Sequence, residues 1–129
     1  MDRPGGARLR PRERLTTGSE FRRVFRQGTR LDGPLFLLVA ALNACGHDRL
    51  GIAVSRRVGG ATHRNRAKRL LREAFRLNKR ARERGCDLVF VAKKELVSAT
   101  LADVEREFTR RRERVGSAGG PRTRPGVPR

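Results

Sequence analysis

The order of helices and strands along the chain predicts a mixed fold, an α+β or α/β sandwich of two layers. The length of 129 residues fits one domain, and a hydrophobic content of 36% is enough for a small core. Short β-like apolar runs alternate with segments of helical periodicity. Both chain ends lack any apolar pattern. We therefore expect a folded domain over residues 15–115, between a basic disordered tail at 1–14 and a Gly/Pro/Arg-rich one at 116–129.

The first predicted element is a short helix that begins after Ser19 as its N-cap and ends at Gly28. Phe21, Val24 and Phe25 fall at positions i, i+3 and i+4, so they form an apolar stripe on one side. Arginines occupy the other side. This helix is therefore expected to pack on the rest of the protein through its aromatic face.

Three strands are predicted next, around Thr29–Leu31, over Leu35–Leu42 and over Leu50–Ser55. Within the third of these, large apolar residues alternate with the small residues Gly51 and Ala53. One face of the sheet is therefore apolar, and the second face is predicted to be low and open.

Helical periodicity then runs from about Thr62 to Arg84, where Gly85 ends it. A further strand is predicted over Leu88–Ala92. The last helix is lined by Val104 and Phe108, with acids in its first turns and arginines at its end, which the helix dipole favours.

Charge is the strongest compositional signal. Lys and Arg total 32 against 13 Asp and Glu, a net charge of +19 that favours a polyanionic partner. No run of about 18 apolar residues predicts a membrane span, and no apolar run follows the basic N-terminus as in a secretory signal, so we expect a cytoplasmic protein. Cys45 and Cys86 match no zinc-binding spacing and are predicted to be reduced, buried packing residues.

The segment Ser55–Arg76 holds the densest positive charge. On a helix, its cations form a ridge at four-residue steps with two flanking arginines, and Glu73 is the only acid among them. We expect these side chains to point away from the apolar arc. Like charges four residues apart repel, so the ridge favours an external polyanion such as RNA over a merely solvated face, which normally interleaves Glu. The cations are Arg64, Lys68, Arg72 and Arg76 on the ridge, and Arg66 and Arg69 beside it.

Three segments carry a resemblance to a known family. Arg64–Glu73 (RNRAKRLLRE) resembles the signature segment of the bacterial ribonuclease P protein subunit. Glu20–Gly28 (EFRRVFRQG) is similar to the first helix of that family, and Arg49–Gly59 (RLGIAVSRRVG) is similar to the strand that precedes its signature helix. The matches lie in the family's order and spacing over about residues 12–114.

The resemblance implies an α+β fold, a two-layer α–β sandwich with a left-handed βαβ crossover through the basic helix. It implies a protein subunit that binds the ribonuclease P RNA and the 5′ leader of precursor tRNA. The subunit assists the Mg²⁺-dependent endonucleolytic removal of that leader, which makes the mature tRNA 5′ end. The Mg²⁺ ions are held by the RNA subunit and the substrate, and no catalytic residue, metal site or protein partner of this chain is implied.

The resemblance also assigns two sets of residues. The catalytic-RNA-binding set is Arg64, Asn65, Arg66, Lys68, Arg69 and Arg72. The leader-binding set is Phe21, Phe25, Ser55, Arg56 and Arg57. Aromatic rings suit single-stranded RNA because bases stack on them. Where family members often present an aromatic ring on the sheet, this chain has Val39, so leader stacking is expected to be weaker or carried by the first helix alone.

The residues themselves leave two alternatives open. One is a structural RNA-binding protein of the translation apparatus, and the other is a nucleic-acid chaperone that acts through its tails and charge. A protein active site is not predicted, because His47 and His63 lack an orienting partner and the acids are scattered. The RNA that co-purifies with the protein distinguishes the first alternative from ribonuclease P.

Overall fold

The computed structural model describes residues 13–78 and 85–117. Its elements follow the predicted order and confirm the mixed α+β fold. No helix in these two ranges is both long and apolar enough for a membrane span. The elements are α1 Gly18–Gln27, β1 Thr29–Asp32, β2 Phe36–Leu42, β3 Arg49–Ala53, α2 Ala61–Leu77, β4 Cys86–Ala92 and α3 Leu101–Ser117, with 3₁₀ turns at Arg56–Val58 and Lys94–Ser98.

The predicted tails at 1–14 and 116–129 lie mostly outside the described residues. At the N-terminal border, Glu13 is buried and Arg14 forms a parallel bridge with Leu50 of β3. At the other border, α3 continues to Ser117. The described residues therefore extend slightly beyond the predicted domain of residues 15–115 at both ends, and the prediction of disordered tails stays a prediction.

Two helix boundaries differ from their predictions. The N-cap of α1 is Thr17 rather than Ser19, because the Glu20 amide donates to Thr17 Oγ1 over 3.2 Å while Glu20 Oε1 accepts from the Thr17 amide over 3.3 Å. This capping box leaves Ser19 inside the first turn. Helix α2 ends at Leu77, where the Asn78 side chain donates to the Ala74 carbonyl. The predicted continuation over residues 79–84 lies outside the described residues.

The four strands form one sheet in the order β1-β2-β4-β3. Strands β1 and β2 pair antiparallel, β2 and β4 pair antiparallel, and β3 and β4 pair parallel. Parallel neighbours need a crossover, and α2 provides it between β3 and β4. The left hand of this crossover remains a prediction from the resemblance.

The main core lies between one face of the sheet and helices α2 and α3. Four phenylalanines are fully buried there, and their ring centroids lie 5.0 Å apart for Phe36 and Phe90, 5.2 Å for Phe90 and Phe108, and 6.5 Å for Phe75 and Phe108. Such edge-to-face and tilted pairs each add about 1 kcal/mol beyond their buried area. This core fixes α2, so the opposite side of α2 faces solvent.

Helix α1 packs on the second face of the sheet. Val24 of α1 is fully buried there with Val39 and Val89. Gly51 of β3 lies directly beneath Phe21, and a Cβ at this position would lie 2.8 Å from the Phe21 ring. The predicted alternation in β3 is confirmed, because Leu50 and Ile52 face the main core while Gly51 faces α1.

A buried carboxylate holds α1 to the sheet. Asp87 of β4 is fully buried and accepts hydrogen bonds from Arg23 of α1, from Arg49 of β3 over 2.8 and 2.9 Å, and from Asn43 over 2.7 Å. Burial by itself raises the pKa of the Asp87 carboxyl, but these hydrogen bonds and the two guanidinium charges outweigh it and lower the pKa below its ordinary value. The same contact raises the pKa of Arg49. Glu20 of α1 extends the network to Arg49 over 3.3 Å.

A second buried ion pair ties the far end of α3 to the sheet. Arg112 donates to Asp48 over 2.5 Å and to the Asn78 carbonyl over 3.2 Å, and its guanidinium lies 5.0 Å from the Phe108 ring centroid. Asp48 also accepts from the Cys86 amide over 2.9 Å. The pair therefore joins α3, the end of α2 and the start of β4 at one corner of the core.

The two cysteines differ in burial. Cys86 is buried at the start of β4, as predicted. The prediction was wrong for Cys45, which is exposed, because it lies in the turn between β2 and β3 where its amide donates to Asn43 Oδ1 over 2.8 Å. Both thiols are free.

We expect Asp87→Asn to lower the free energy of unfolding by at least about 3 kcal/mol, because Arg23 and Arg49 lose a buried counter-charge. The pKa of Asp87 is lower when folded than when unfolded. Its stabilising contribution is therefore complete above the unfolded-state value near 4 and is lost as the pH falls through the folded-state value. Urea unfolding from pH 7 to pH 3 measures both effects, and Asp87→Asn should flatten the acid part of the profile.

Glu95→Gln is the control for this prediction, because Glu95 is exposed in the 3₁₀ turn Lys94–Ser98. It should change the free energy of unfolding by less than about 0.5 kcal/mol. Equal losses for the two variants would contradict the anchoring role of Asp87.

Candidate nucleic-acid interface

The solvent-facing side of α2 carries most of the predicted RNA-binding residues. Its opposite side is buried against the sheet through Ala67, Leu71 and Ala74. Residues Arg64, Lys68 and Arg72 follow at four-residue steps, about 6 Å apart along the axis. We call the following five residues the signature face: Arg64, Asn65, Lys68, Arg69 and Arg72.

The cations of the signature face lack protein counter-charges. Arg69 and Arg72 are exposed, whereas Arg64 and Lys68 are half-buried. Within residues 13–78 and 85–117, none of the four forms an ion pair with an acidic side chain. Arg64 Nε is in addition buried without a hydrogen-bond partner there. The face is therefore equipped to bind anions from outside the protein.

Arg66 is bound to the protein itself. Its Nε donates to the Val97 carbonyl over 2.8 Å, and its Nη2 donates to the Ala99 carbonyl over 2.9 Å. The expectation that all the cations of this helix point away from the protein is thus wrong for Arg66. The side chain leaves the flank of α2 and holds the segment that follows β4, so at least two of its five donors are used structurally.

The predicted ridge also ends one step early. Arg76 donates to Glu73 over 2.7 and 3.2 Å, and these hydrogen bonds raise the pKa of Arg76. Glu73 thus neutralises the last cation of the ridge. Among the described residues, the ridge cations without an acidic partner are therefore Arg64, Lys68 and Arg72.

A second surface lies on the open part of the sheet beside α1. Leu37, Val91 and Ala53 are half-buried and lie side by side on β2, β4 and β3. We call these three residues the apolar shelf. Phe21 and Phe25 are half-buried at its border, whereas the other four phenylalanines of the chain are fully buried. Both rings therefore pack on the protein and keep part of their surface accessible.

Val39 is not part of the apolar shelf. It is fully buried beneath α1, two residues after Leu37 on the same face of β2. A valine at this position leaves the sheet without an accessible ring. Aromatic surface on this side of the molecule therefore comes only from α1 within the part that the structure describes.

The predicted residues after β3 form the far border of the shelf. Ser55, Arg56 and Arg57 are exposed, and Ser55 Oγ accepts from the Arg57 amide over 3.2 Å to cap a 3₁₀ turn. Val58 is buried and anchors this turn. Because α2 begins at Ala61, this short turn connects the β3 end of the shelf to the start of α2, which packs on the other face of the sheet.

The described side chains include the kinds of group that bind RNA. Among residues 13–78 and 85–117, no group of three or more His, Cys, Asp or Glu side chains lies close enough to hold a metal ion. The buried carboxylates of Asp87 and Asp48 are engaged by arginines. Unpaired guanidinium groups and accessible rings are the groups that bind phosphates and unstacked bases.

Arg30 is a candidate that sequence reasoning missed. Its guanidinium carbon lies 5.8 Å from the centroid of the Phe25 ring. The two residues are on different elements, α1 and β1, with a tight turn between them. No helix or strand period relates their positions. The sequence could therefore indicate Arg30 only as a side chain that points outward from a short strand.

Comparison with known proteins gives consistent findings. The family model described as ribonuclease P matches residues 9–116. The ribonuclease P protein component of Clostridium botulinum (strain Loch Maree / Type A3) is 38% identical over 93 residues, covering 71% of this chain and 84% of that protein. The ribonuclease P protein component of Dehalococcoides mccartyi is 40% identical over 93 residues, covering 72% of this chain and 76% of that protein.

Solved structures are similar as well. The RNase P protein from Thermotoga maritima superposes with a TM-score of 0.65 at 33% identity, covering 80% of this chain and 92% of that chain. The RNase P protein of Staphylococcus aureus gives a TM-score of 0.72 at 24% identity, covering 80% and 94%. At this lower identity the second likeness concerns the fold alone.

Arg66→Ala is expected to lower the free energy of unfolding by about 2–3 kcal/mol, because two charge-assisted hydrogen bonds to carbonyls are lost. Arg69→Ala is the matched control, since Arg69 is exposed on the same helix, and it should cost less than about 0.5 kcal/mol. Urea unfolding at neutral pH measures both. If the two variants are equally stable, the contacts of Arg66 with Val97 and Ala99 do not support the fold.

Proposed function

The chain belongs to the ribonuclease P protein family, and from this premise we propose that it binds the RNA subunit of ribonuclease P and the 5′ leader of precursor tRNA. The observation that carries the proposal is that one small domain presents two different surfaces, which the turn Arg56–Val58 connects along the chain. The signature face of α2 has unpaired cations, and the apolar shelf has accessible rings. A structured RNA and a single strand need these two kinds of surface.

The signature face is assigned to the RNA subunit. A folded RNA presents phosphates at regular spacing, and arginines bind phosphate with two parallel hydrogen bonds. Each phosphate contact releases condensed counterions, so affinity depends steeply on salt. Because Arg66 is held by backbone carbonyls, we assign RNA contact chiefly to Arg64, Lys68, Arg69 and Arg72, with Asn65 beside them.

The apolar shelf and its borders are assigned to the leader. A single-stranded leader has unstacked bases that gain about 1–3 kcal/mol each by stacking on an aromatic ring. Phe21 and Phe25 supply the rings, and the exposed segment Ser55–Arg57 supplies backbone and guanidinium donors for phosphates. Mature tRNA lacks the leader, so this surface favours precursor over product.

In this proposal the protein is the non-catalytic subunit of the enzyme. The Mg²⁺ ions bound by RNA and substrate supply the activated water and the charge stabilisation for hydrolysis. The protein residues bind and orient: the signature face holds the RNA subunit, and the shelf holds the leader. A net charge of +19 also screens the repulsion between two RNAs, which lowers the Mg²⁺ concentration needed for assembly.

Each of the two alternative functions leaves at least one of these surfaces without a role. A structural RNA-binding protein of the translation apparatus needs a cationic face, but it has no use for an accessible apolar shelf with two rings. A chaperone that acts by charge alone needs neither surface. Binding of a leader by the shelf distinguishes ribonuclease P from both.

Arg69→Ala and Arg72→Ala are each expected to weaken binding of the RNA subunit. Each should also reduce the slope of log affinity against log salt by about one unit, the loss of one phosphate contact. Filter binding over a salt series measures this, and cleavage by the reconstituted enzyme should then need more Mg²⁺. Arg110→Ala, at an exposed position of α3, is the control and should leave both unchanged.

Phe25→Ala is expected to weaken binding of precursor tRNA to the holoenzyme by about 1–3 kcal/mol, the value of one lost stack. Binding of mature tRNA should stay unchanged, and the penalty should disappear when the leader is too short to reach the shelf. Equilibrium binding with leaders of different lengths measures this. A penalty of the same size at every leader length would show that Phe25 only supports the fold.

A further inference from the structure

Arg30 occupies an unusual position at the edge of the sheet. Strand β1 is an edge strand, and Arg30 is exposed on the face that carries α1. Its guanidinium lies over the Phe25 ring, with 5.8 Å between the guanidinium carbon and the ring centroid. Its pairing partner across the strands is the buried Val39. A planar cation thus lies against a ring of α1 on the face where the sheet itself has no accessible ring.

Among the described residues, nothing neutralises the charge of Arg30. Within the described part of the chain, no acidic side chain pairs with it. Asp32, the next residue on the same face of β1, pairs with Lys93 over 2.8 Å instead. A guanidinium held against a ring keeps its in-plane donors available for a phosphate or for the edge of a base.

The strand register places Arg30 at the β1 end of the row of the sheet that α1 covers, next to the row that stays accessible. One row of the face runs through Arg30, Val39, Val89 and Gly51, and the next row contains the apolar shelf. Phe25 stands beside the Arg30 end of the first row, and Phe21 stands over its Gly51 end. Four strands about 4.8 Å apart separate the two ends by about 14 Å.

We propose that Arg30 is a leader-binding residue that contacts the leader at the β1 edge of the sheet, in the row next to the shelf, beside a base stacked on Phe25. The proposal rests on the leader site proposed above and adds a direction to it. The β3 end leads through the turn Arg56–Val58 into α2, which holds the RNA subunit and therefore lies nearer the cleavage site. The leader enters at Ser55–Arg57, crosses the four strands and reaches Arg30 last.

This path makes a quantitative statement about leader length. A stacked strand advances about 3.4 Å per nucleotide, so about 14 Å corresponds to about four nucleotides. Contacts at the β3 end therefore need only a short leader. Contacts at Arg30 need a leader about four nucleotides longer. Phe25 lies beside Arg30, so the minimum leader length at which it contributes to binding should be the same as for Arg30.

The test uses the reconstituted holoenzyme and precursor tRNAs whose leaders lengthen one nucleotide at a time. Arg30→Ala should weaken binding about tenfold with long leaders and leave mature tRNA binding unchanged. Arg57→Ala should show its penalty with leaders about four nucleotides shorter. Arg110→Ala removes one exposed positive charge from α3, and it should have no leader-dependent effect.

The outcomes separate this proposal from the one on which it rests. If Arg30→Ala shows no penalty at any leader length while Phe25→Ala does, Arg30 is not a leader contact and the leader site stands. If Arg30→Ala and Arg57→Ala share one threshold, the path across the strands is wrong. If Arg30→Ala, Phe25→Ala and Arg57→Ala all lack a leader-dependent loss of affinity, the leader site itself is wrong. Urea unfolding of Arg30→Ala should match that of the unmodified chain, because Arg30 is exposed.

Discussion

The hydrogen bonds and ion pairs of the buried Asp87 carboxylate are the interaction that holds α1 on the second face of the sheet. Strand β4 lies between β2 and β3, so a charge on it reaches α1, β3 and the turn at Asn43 together. A buried carboxylate without partners is very costly, so the surrounding donors have to stay in place. Helix α1 makes few other long-range polar contacts with the sheet, and its angle on the sheet follows from this ionic contact and from the small residue Gly51. The positions of Phe21 and Phe25 follow in turn.

The excess of positive charge is divided between two uses. Arg23, Arg49 and Arg112 neutralise buried carboxylates, and Arg66 is bound to backbone carbonyls. These four hold elements together. The cations of the signature face and Arg30 have no acidic partner among the described residues. A phosphate backbone is the partner that offsets the repulsion among them, so the same excess that weakens the isolated domain favours its complex with RNA.

The six phenylalanines show a similar division. Four of them form the core between the sheet and helices α2 and α3, and they stabilise the fold by burial. Two of them lie on α1 over the other face, where the sheet carries Gly51 and a valine instead of large side chains. The rings are supported from below and accessible from the side. A rigid, partly accessible ring binds a flexible single strand at low entropic cost, since only the strand has to become ordered.

Local patterns in the sequence by themselves determined the α+β order of elements, the four strands, and the amphipathic α2 with cations opposite its buried side. They were sufficient because helix and strand periods relate residues only a few positions apart. The tertiary structure alone decided which arginines are structural. Arg23 and Asp87 are 64 residues apart, and Arg66 and Val97 are 31 apart, so no local period relates them. It also decided the stacking of Arg30 on Phe25, because that contact depends on the angle at which α1 crosses the sheet.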